Sequence, residues 1–257
     1  MLLILLFIFG LIIGSFLNCV IYRLEKNQDF ISGRSFCPHC RHILDWQDLI
    51  PILSFILLKR RCRYCRELIS WQYPLVELST AILFLFIGFK FSDPVSLIYH
   101  LIIASLLIIV FVFDLKHRLI PDKIIYSTIF ISGAWYLASG IFFGLYAKHE
   151  ILNTIYSAFG AALFFLFIYF ITKGKGLGFG DVEIAFFMGL FLGFPKILLA
   201  IFLAFFSGAV VGIILILLSK KTLKSELAFG PFLVAATLFS AFFGQPLINL
   251  YFGLLGY

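Results

Sequence analysis

The sequence predicts an all-α fold: a polytopic helical membrane protein of about eight transmembrane helices, with one extended polar loop between the first two. Three observations carry this. The 257 residues are 62% hydrophobic and only 13% charged, with a mean hydropathy of +1.08, whereas a soluble domain carries roughly 25% charged residues. The apolar residues run in continuous blocks, most of them long enough to cross the ~30 Å hydrocarbon core as helix, where a transmembrane barrel would show alternating segments of about 10 residues. The basic residues are distributed unequally between the gaps that separate the blocks.

The predicted spans are 2–22, 74–91, 95–113, 124–145, 151–172, 182–194, 197–218 and 229–250. The sixth is short. No basic residue precedes the first block and no small-x-small cleavage site follows it, so it is expected to stay in the protein as a span. Cys19 within it lacks a small residue before it, as lipidation would need, and reads as a small buried hydrophobe.

Orientation follows from Lys and Arg. With the first loop in the cytosol and eight alternating spans, only Lys90, Lys148 and Lys196 of the 20 basic residues fall outside. Lys220, Lys221 and Lys224 fall inside. This asymmetry is the one that cytosolic loops carry, and it puts the N-terminus outside. The net charge of +7 then reflects topology and attraction to anionic membrane lipids, with no nucleic acid partner required.

The loop from 23 to 73 holds Cys37-Pro38-His39-Cys40 and Cys62-Arg63-Tyr64-Cys65, two CxxC pairs 21 residues apart. Each CxxC turn aims two sulfurs at one point, so the pairs predict a structural Zn2+ on Cys37, Cys40, Cys62 and Cys65. The alternatives are disulfides or free thiols, and a reducing cytosol disfavours the first. Four thiolates leave no open position for catalysis, and His39 and His42 read as bystanders. Between the knuckles, the apolar stretch 49–58 is too short to cross and is expected to be interfacial or re-entrant.

Carboxylates near spans are few and costly in lipid. Asp122 reads as a first-turn residue favoured by the helix dipole, and Glu77 as structural. Asp114 ends the third span and Asp181 opens the sixth, both on the cytosolic side in this topology. Gly176, Gly178 and Gly180 precede Asp181, where glycine permits positive φ and close backbone approach. Two such carboxyls at short range cannot both ionise cheaply, which suits acid/base hydrolysis of an amide. A proton-coupled transporter is the rival reading. The glycine run lacks the Lys-Ser/Thr ending of a phosphate cradle.

An ordered series of motifs resembles the type IV prepilin peptidases, membrane aspartic proteases of the GxGD kind. Gly14-Ser15-Phe16-Leu17-Asn18 resembles the opening signature. The two CxxC pairs, Tyr73-Pro74-Leu75-Val76-Glu77, Asp114 with Pro121-Asp122 at the family's spacing, Gly178-Phe179-Gly180-Asp181 and Phe229-Gly230-Pro231 follow in the family's order. The resemblance implies Asp114 and Asp181 as the catalytic aspartates. It implies prepilin or pseudopilin substrates, cut after a glycine that follows a basic leader at the cytosolic face of the bacterial inner membrane, serving pili, type II secretion or competence. It also implies N-methylation of the new N-terminus with S-adenosylmethionine, whose binding residues stay unassigned. Glu183 departs from the family, which often has Lys two residues after the second aspartate. Glu183 and Asp122 are also candidates for meeting a basic leader.

The domain reading is a first transmembrane helix at 1–22, a cytosolic zinc-knuckle loop at 23–73, and a protease core of about seven helices at 74–257. A transporter gives no reason for a closed four-cysteine site. A scaffold leaves the paired acids unexplained, and a GxGD protease with another membrane substrate is the nearest enzymatic alternative.

Overall fold

The computed structural model describes residues 1–26, 28–29, 33–142, 148–218 and 227–254, with backbone alone at 141, 142 and 148. Lys220, Lys221, Lys224 and the end of the fourth predicted span lie outside the described residues. Among those described, the structure is helical, with two isolated β-bridges and no strand. The helices are α1 (Leu2–Glu25), α2 (Leu53–Leu57), α3 (Gln72–Lys90), α4 (Pro94–His117), α5 (Asp122–Phe142), α6 (Lys148–Thr172), α7 (Phe179–Leu192), α8 (Lys196–Leu217) and α9 (Gly230–Leu254), and a 3₁₀ turn covers Trp46–Leu49.

Every predicted span coincides with one helix among the described residues, the sixth with the short α7. Six of them, α1, α3, α4, α6, α8 and α9, are long and apolar enough to cross a membrane. Local chemistry sets several boundaries. Pro94 opens α4, where its missing N–H costs nothing. Pro121 precedes α5 and Asp122 sits in its first turn. Gly193, at φ 64°, stops α7.

Two compact units divide the chain, Met1–Ile109 and Val110–Tyr257. In the first, α1 packs along α3 at backbone contact. A Cβ on Gly10 would lie 2.6 Å from Ala81 Cα, and one on Gly14 would lie 2.6 Å from Glu77 Cα. Glycines four apart form one flat strip on a helix, the small-residue seam by which helices associate in lipid. Leu6, Leu17, Ile21, Phe84 and Ile87 fill the seam on either side. Buried Asn18 ties its loop end: Nδ2 donates to the carbonyls of Gly14 and Tyr73, and Oδ1 accepts from Gln72 Nε2. Arg23, also buried, turns the chain into the loop by donating to the carbonyls of Asp29, Gly33 and Arg34.

The second unit is built around α7. This helix has only 14 residues, about 21 Å of rise, less than a bilayer crossing. It packs against α5, α6, α8 and α9, and Val182, Ile184, Ala185, Phe187, Met188 and Leu190 are all buried. A helix that is apolar on every face belongs in such an interior, and enclosure by longer helices removes the need to match the membrane thickness. Its far end is closed by polar groups. Tyr136 Oη donates to the Phe191 carbonyl at 3.0 Å, and the Asn153 amide both donates to and accepts from the Phe194 backbone.

Candidate active site and candidate metal centre

The metal centre is assembled from two copies of one turn. In the first, Cys37 N–H donates to the His42 carbonyl and Arg41 N–H to the Cys37 carbonyl. In the second, Cys62 N–H donates to the Glu67 carbonyl and Arg66 N–H to the Cys62 carbonyl. Arg41 and Arg66 take matching positive φ values of 58° and 62°. The bridges Phe36–Ile43 and Arg61–Leu68 close the two turns. Each turn thereby points its sulfurs inward, and all four Sγ atoms lie within 4.8 Å of one another. This arrangement could hold one metal ion. The four cysteines carry no disulfide. Burial, partly countered by backbone hydrogen bonds, pushes the Cys37 thiol up to about 11 in the metal-free chain.

A second set of contacts locks the turns together. Arg63 Nε pairs with Asp48 Oδ1 at 2.8 Å, and Tyr64 Oη donates to Asp45 Oδ2 at 3.0 Å. Desolvation and that bond to Asp45 push the Tyr64 hydroxyl up to about 12. The His42 ring lies 3.6 Å from the Tyr64 ring, and neither His39 nor His42 joins the thiol cluster. The apolar stretch between the knuckles forms the 3₁₀ turn and α2. Its start is fixed by Ile52 N–H donating to Glu77 Oε2 at 2.8 Å, which gives the buried Glu77 carboxylate a structural partner.

The acidic site lies in the second unit. Asp114, in the last turn of α4, is 4% exposed, and Asp181, in the first turn of α7, is 6% exposed. Gly178 N–H donates to Asp181 Oδ2 at 2.9 Å, while Asp181 N–H turns back to the Gly178 carbonyl. The carboxylate is thus folded onto the helix start, where unpaired N–H groups favour an anion. Asp114 Oδ2 is buried and has no hydrogen-bond partner.

Two glycines bring these segments together. A Cβ on Gly230, the first residue of α9, would sit 2.6 Å from Asp114 Oδ2 and 3.3 Å from Ile184 Cδ1. A Cβ on Gly180 would sit 2.6 Å from Ile120 Cδ1. The segment after Asp114, the start of α7 and the start of α9 therefore meet without space for one added carbon at either point. The glycine run works differently from the expectation. Positive φ falls earlier, at Lys173 and Gly174, and Gly178 is extended at φ −75°.

Glu183 is buried two residues beyond Asp181. Its Oε1 accepts from Tyr126 Oη at 2.6 Å, and its Oε2 has no partner. Asp122 is exposed in the first turn of α5. Gly230, Ile120 and Tyr126 were not singled out by the sequence. Only the Phe229-Gly230-Pro231 motif hinted at the first of them.

Comparison with known proteins identifies the family. A family model described as the bacterial peptidase A24 N-terminal domain matches residues 8–91, and the type IV leader peptidase family matches residues 101–213. A prepilin leader peptidase/N-methyltransferase of Bacillus subtilis (strain 168) is 35% identical over 251 residues, covering 96% of both chains. The protein of the same name from Legionella pneumophila is 29% identical, covering 96% of this chain and 93% of its own. That from Klebsiella pneumoniae is 34% identical over 75% of this chain and 86% of its own. No solved structure matches significantly. With two successive family domains and a relative aligned almost end to end, the chain belongs to the type IV leader peptidase family.

Proposed function

We propose that this protein is a membrane aspartic endopeptidase that removes the basic leader of type IV prepilins or pseudopilins, cutting after a glycine, and that it N-methylates the new N-terminus. Asp114 and Asp181 are the catalytic pair in this reading. The observation that carries it is the paired burial of the two carboxyls at a three-way junction closed by Gly180 and Gly230. Burying carboxyls is expensive, and the packing here maintains two, Asp181 with one hydrogen bond from Gly178 N–H and Asp114 with its Oδ2 unpartnered.

The scissile peptide lies between the carboxyls. The ionised one takes a proton from water as the water oxygen attacks the carbonyl carbon, and the protonated one gives its proton to the carbonyl oxygen. The gem-diol adduct collapses: the C–N bond breaks, the amine leaves with a proton from the first carboxyl, and one hydroxyl returns its proton to the second, which restores both. The reaction needs neither a metal nor a covalent intermediate.

The thiol cluster fits Zn2+. Bonds of about 2.3 Å in a tetrahedron set sulfur–sulfur edges near ~3.8 Å, and Cys37 Sγ lies 3.9 Å from Cys65 Sγ. Bound there, zinc supplies a structural cross-link between the ends of the loop. Methyl transfer requires S-adenosylmethionine, for which no residue of this chain is assigned. The placement proposed is the bacterial cytoplasmic membrane, with the N-terminus outside and the active site at the cytosolic face, supported by the asymmetry of the basic residues.

The test is mass spectrometry of a prepilin incubated with the purified protein in detergent, with and without S-adenosylmethionine. The expected products are a leader ending in glycine and a mature chain that gains one methyl group only when the methyl donor is present. An intact prepilin across several substrates would overturn the reading.

A further inference from the structure

The loop of the first unit carries a surface that proteolysis does not explain. Leu53, Ile56 and Leu57 occupy positions i, i+3 and i+4 of α2 and so share one helix face. All three are exposed, Leu57 to 78%. Trp46, 73% exposed on the adjoining 3₁₀ turn, and Trp71, just before α3, extend the apolar surface. The chain leaving α2 is basic: Lys59 and Arg61 are exposed, and the Arg60 guanidinium lies 5.4 Å from the Trp71 ring centroid.

The depth of this surface is fixed from within the same unit. Ile52, immediately before α2, donates its N–H to Glu77. Glu77 is the sixth residue of α3, about 7 Å along its axis, and α3 is one of the membrane-length apolar helices. The start of α2 therefore lies level with the second turn of a spanning helix. A partner at that level is lipid, and the cations beside it complement anionic headgroups.

We propose that α2 is an interfacial anchor, with Leu53, Ile56 and Leu57 among the upper acyl chains and Lys59, Arg60 and Arg61 among anionic lipid phosphates. The tryptophans occupy the zone where indoles concentrate. The thiol cluster closes the two ends of this anchor, so the metal-bound loop is held against the membrane and not suspended in the cytosol.

The chain has three tryptophans, and the third, Trp135, is in α5. Full-length W135F protein in nanodiscs therefore reports only on Trp46 and Trp71, and W46F or W71F on that background separates them. Lipids brominated high in the acyl chain are expected to remove about half of the emission, with little quenching by aqueous iodide. Bromine quenching should rise when phosphatidylglycerol replaces part of the phosphatidylcholine, and the increment should vanish in about 0.5 M salt. Emission that iodide quenches and bromine does not would place the surface in water and overturn the anchor. Emission protected from both quenchers would mean a protein cover, such as a second copy, and would overturn it equally. The readout is independent of cleavage, so the anchor and the proteolytic reading fail separately.

Discussion

Gly230 has no room for a side chain, because Asp114 Oδ2 fills the space a Cβ would need. Replacing it with Ala must displace either the carboxyl or the start of α9. A displacement of ~1 Å at reacting groups costs about 10²-fold in rate. Gly230→Ala is therefore expected to lower kcat for prepilin cleavage by about that factor, with the protein still monodisperse in detergent and its metal retained. Unchanged kcat would show that Asp114 does not depend on this contact. Tyr126 and Glu183 make a separate prediction. Tyr126→Phe removes the donor to Glu183 Oε1 and leaves that buried carboxyl oxygen unpaired, at about 1–3 kcal/mol. Glu183→Gln keeps an acceptor for the tyrosine. Thermal unfolding in detergent should show Tyr126→Phe clearly less stable than Glu183→Gln, and the reverse order would contradict the assignment.

At the scale of elements, the two knuckle turns are held by one backbone pattern used twice and joined by the Arg63–Asp48 and Tyr64–Asp45 contacts, and in the proposed reading a zinc ion on the four thiols cross-links them further. Cys62→Ser removes one ligand from a four-thiol set. It is expected to abolish the single bound zinc per chain, measured by elemental analysis, and to open the region from 33 to 71 to limited proteolysis. Metal retention also has a predicted direction with pH. Each thiol must lose its proton to bind, and burial already favours the protonated form of Cys37. Zinc is thus lost as pH falls and held more tightly as it rises. Retention that did not change between mildly acidic and mildly basic buffer would argue against thiolate ligation. The short α7 is enclosed: beyond the two acids near its start it is apolar on all sides, and α5, α6, α8 and α9 pack around it.

Across the whole molecule, the basic residues predict the orientation. Cysteine-accessibility mapping in intact cells should find position 1 reachable from outside and positions 34 and 66 reachable only after permeabilisation. The opposite pattern would reverse the topology. Much of this architecture is legible in the sequence, because lipid imposes one solution on long apolar runs and CxxC turns announce their own geometry. Asp181 is legible for a similar reason, since its glycines are adjacent in the chain. Less legible are contacts between distant segments. Nothing near Asp114 in sequence reveals that Gly230 closes on it, nor does the sequence around Glu77 reveal the backbone of Ile52 as its partner. The positive φ at Lys173 and Gly174, in place of the later glycines, reflects how α6 ends, which composition alone does not encode.

The central claim is that Asp114 and Asp181 act as one catalytic pair. Its most direct test is prepilin cleavage by purified Asp114→Asn and Asp181→Asn proteins, each matched to the wild type in zinc content and thermal stability. Both are expected to be inactive, with prepilin still bound. Cleavage by either variant at the wild-type rate would contradict the pairing and leave its carboxyl as part of the packing.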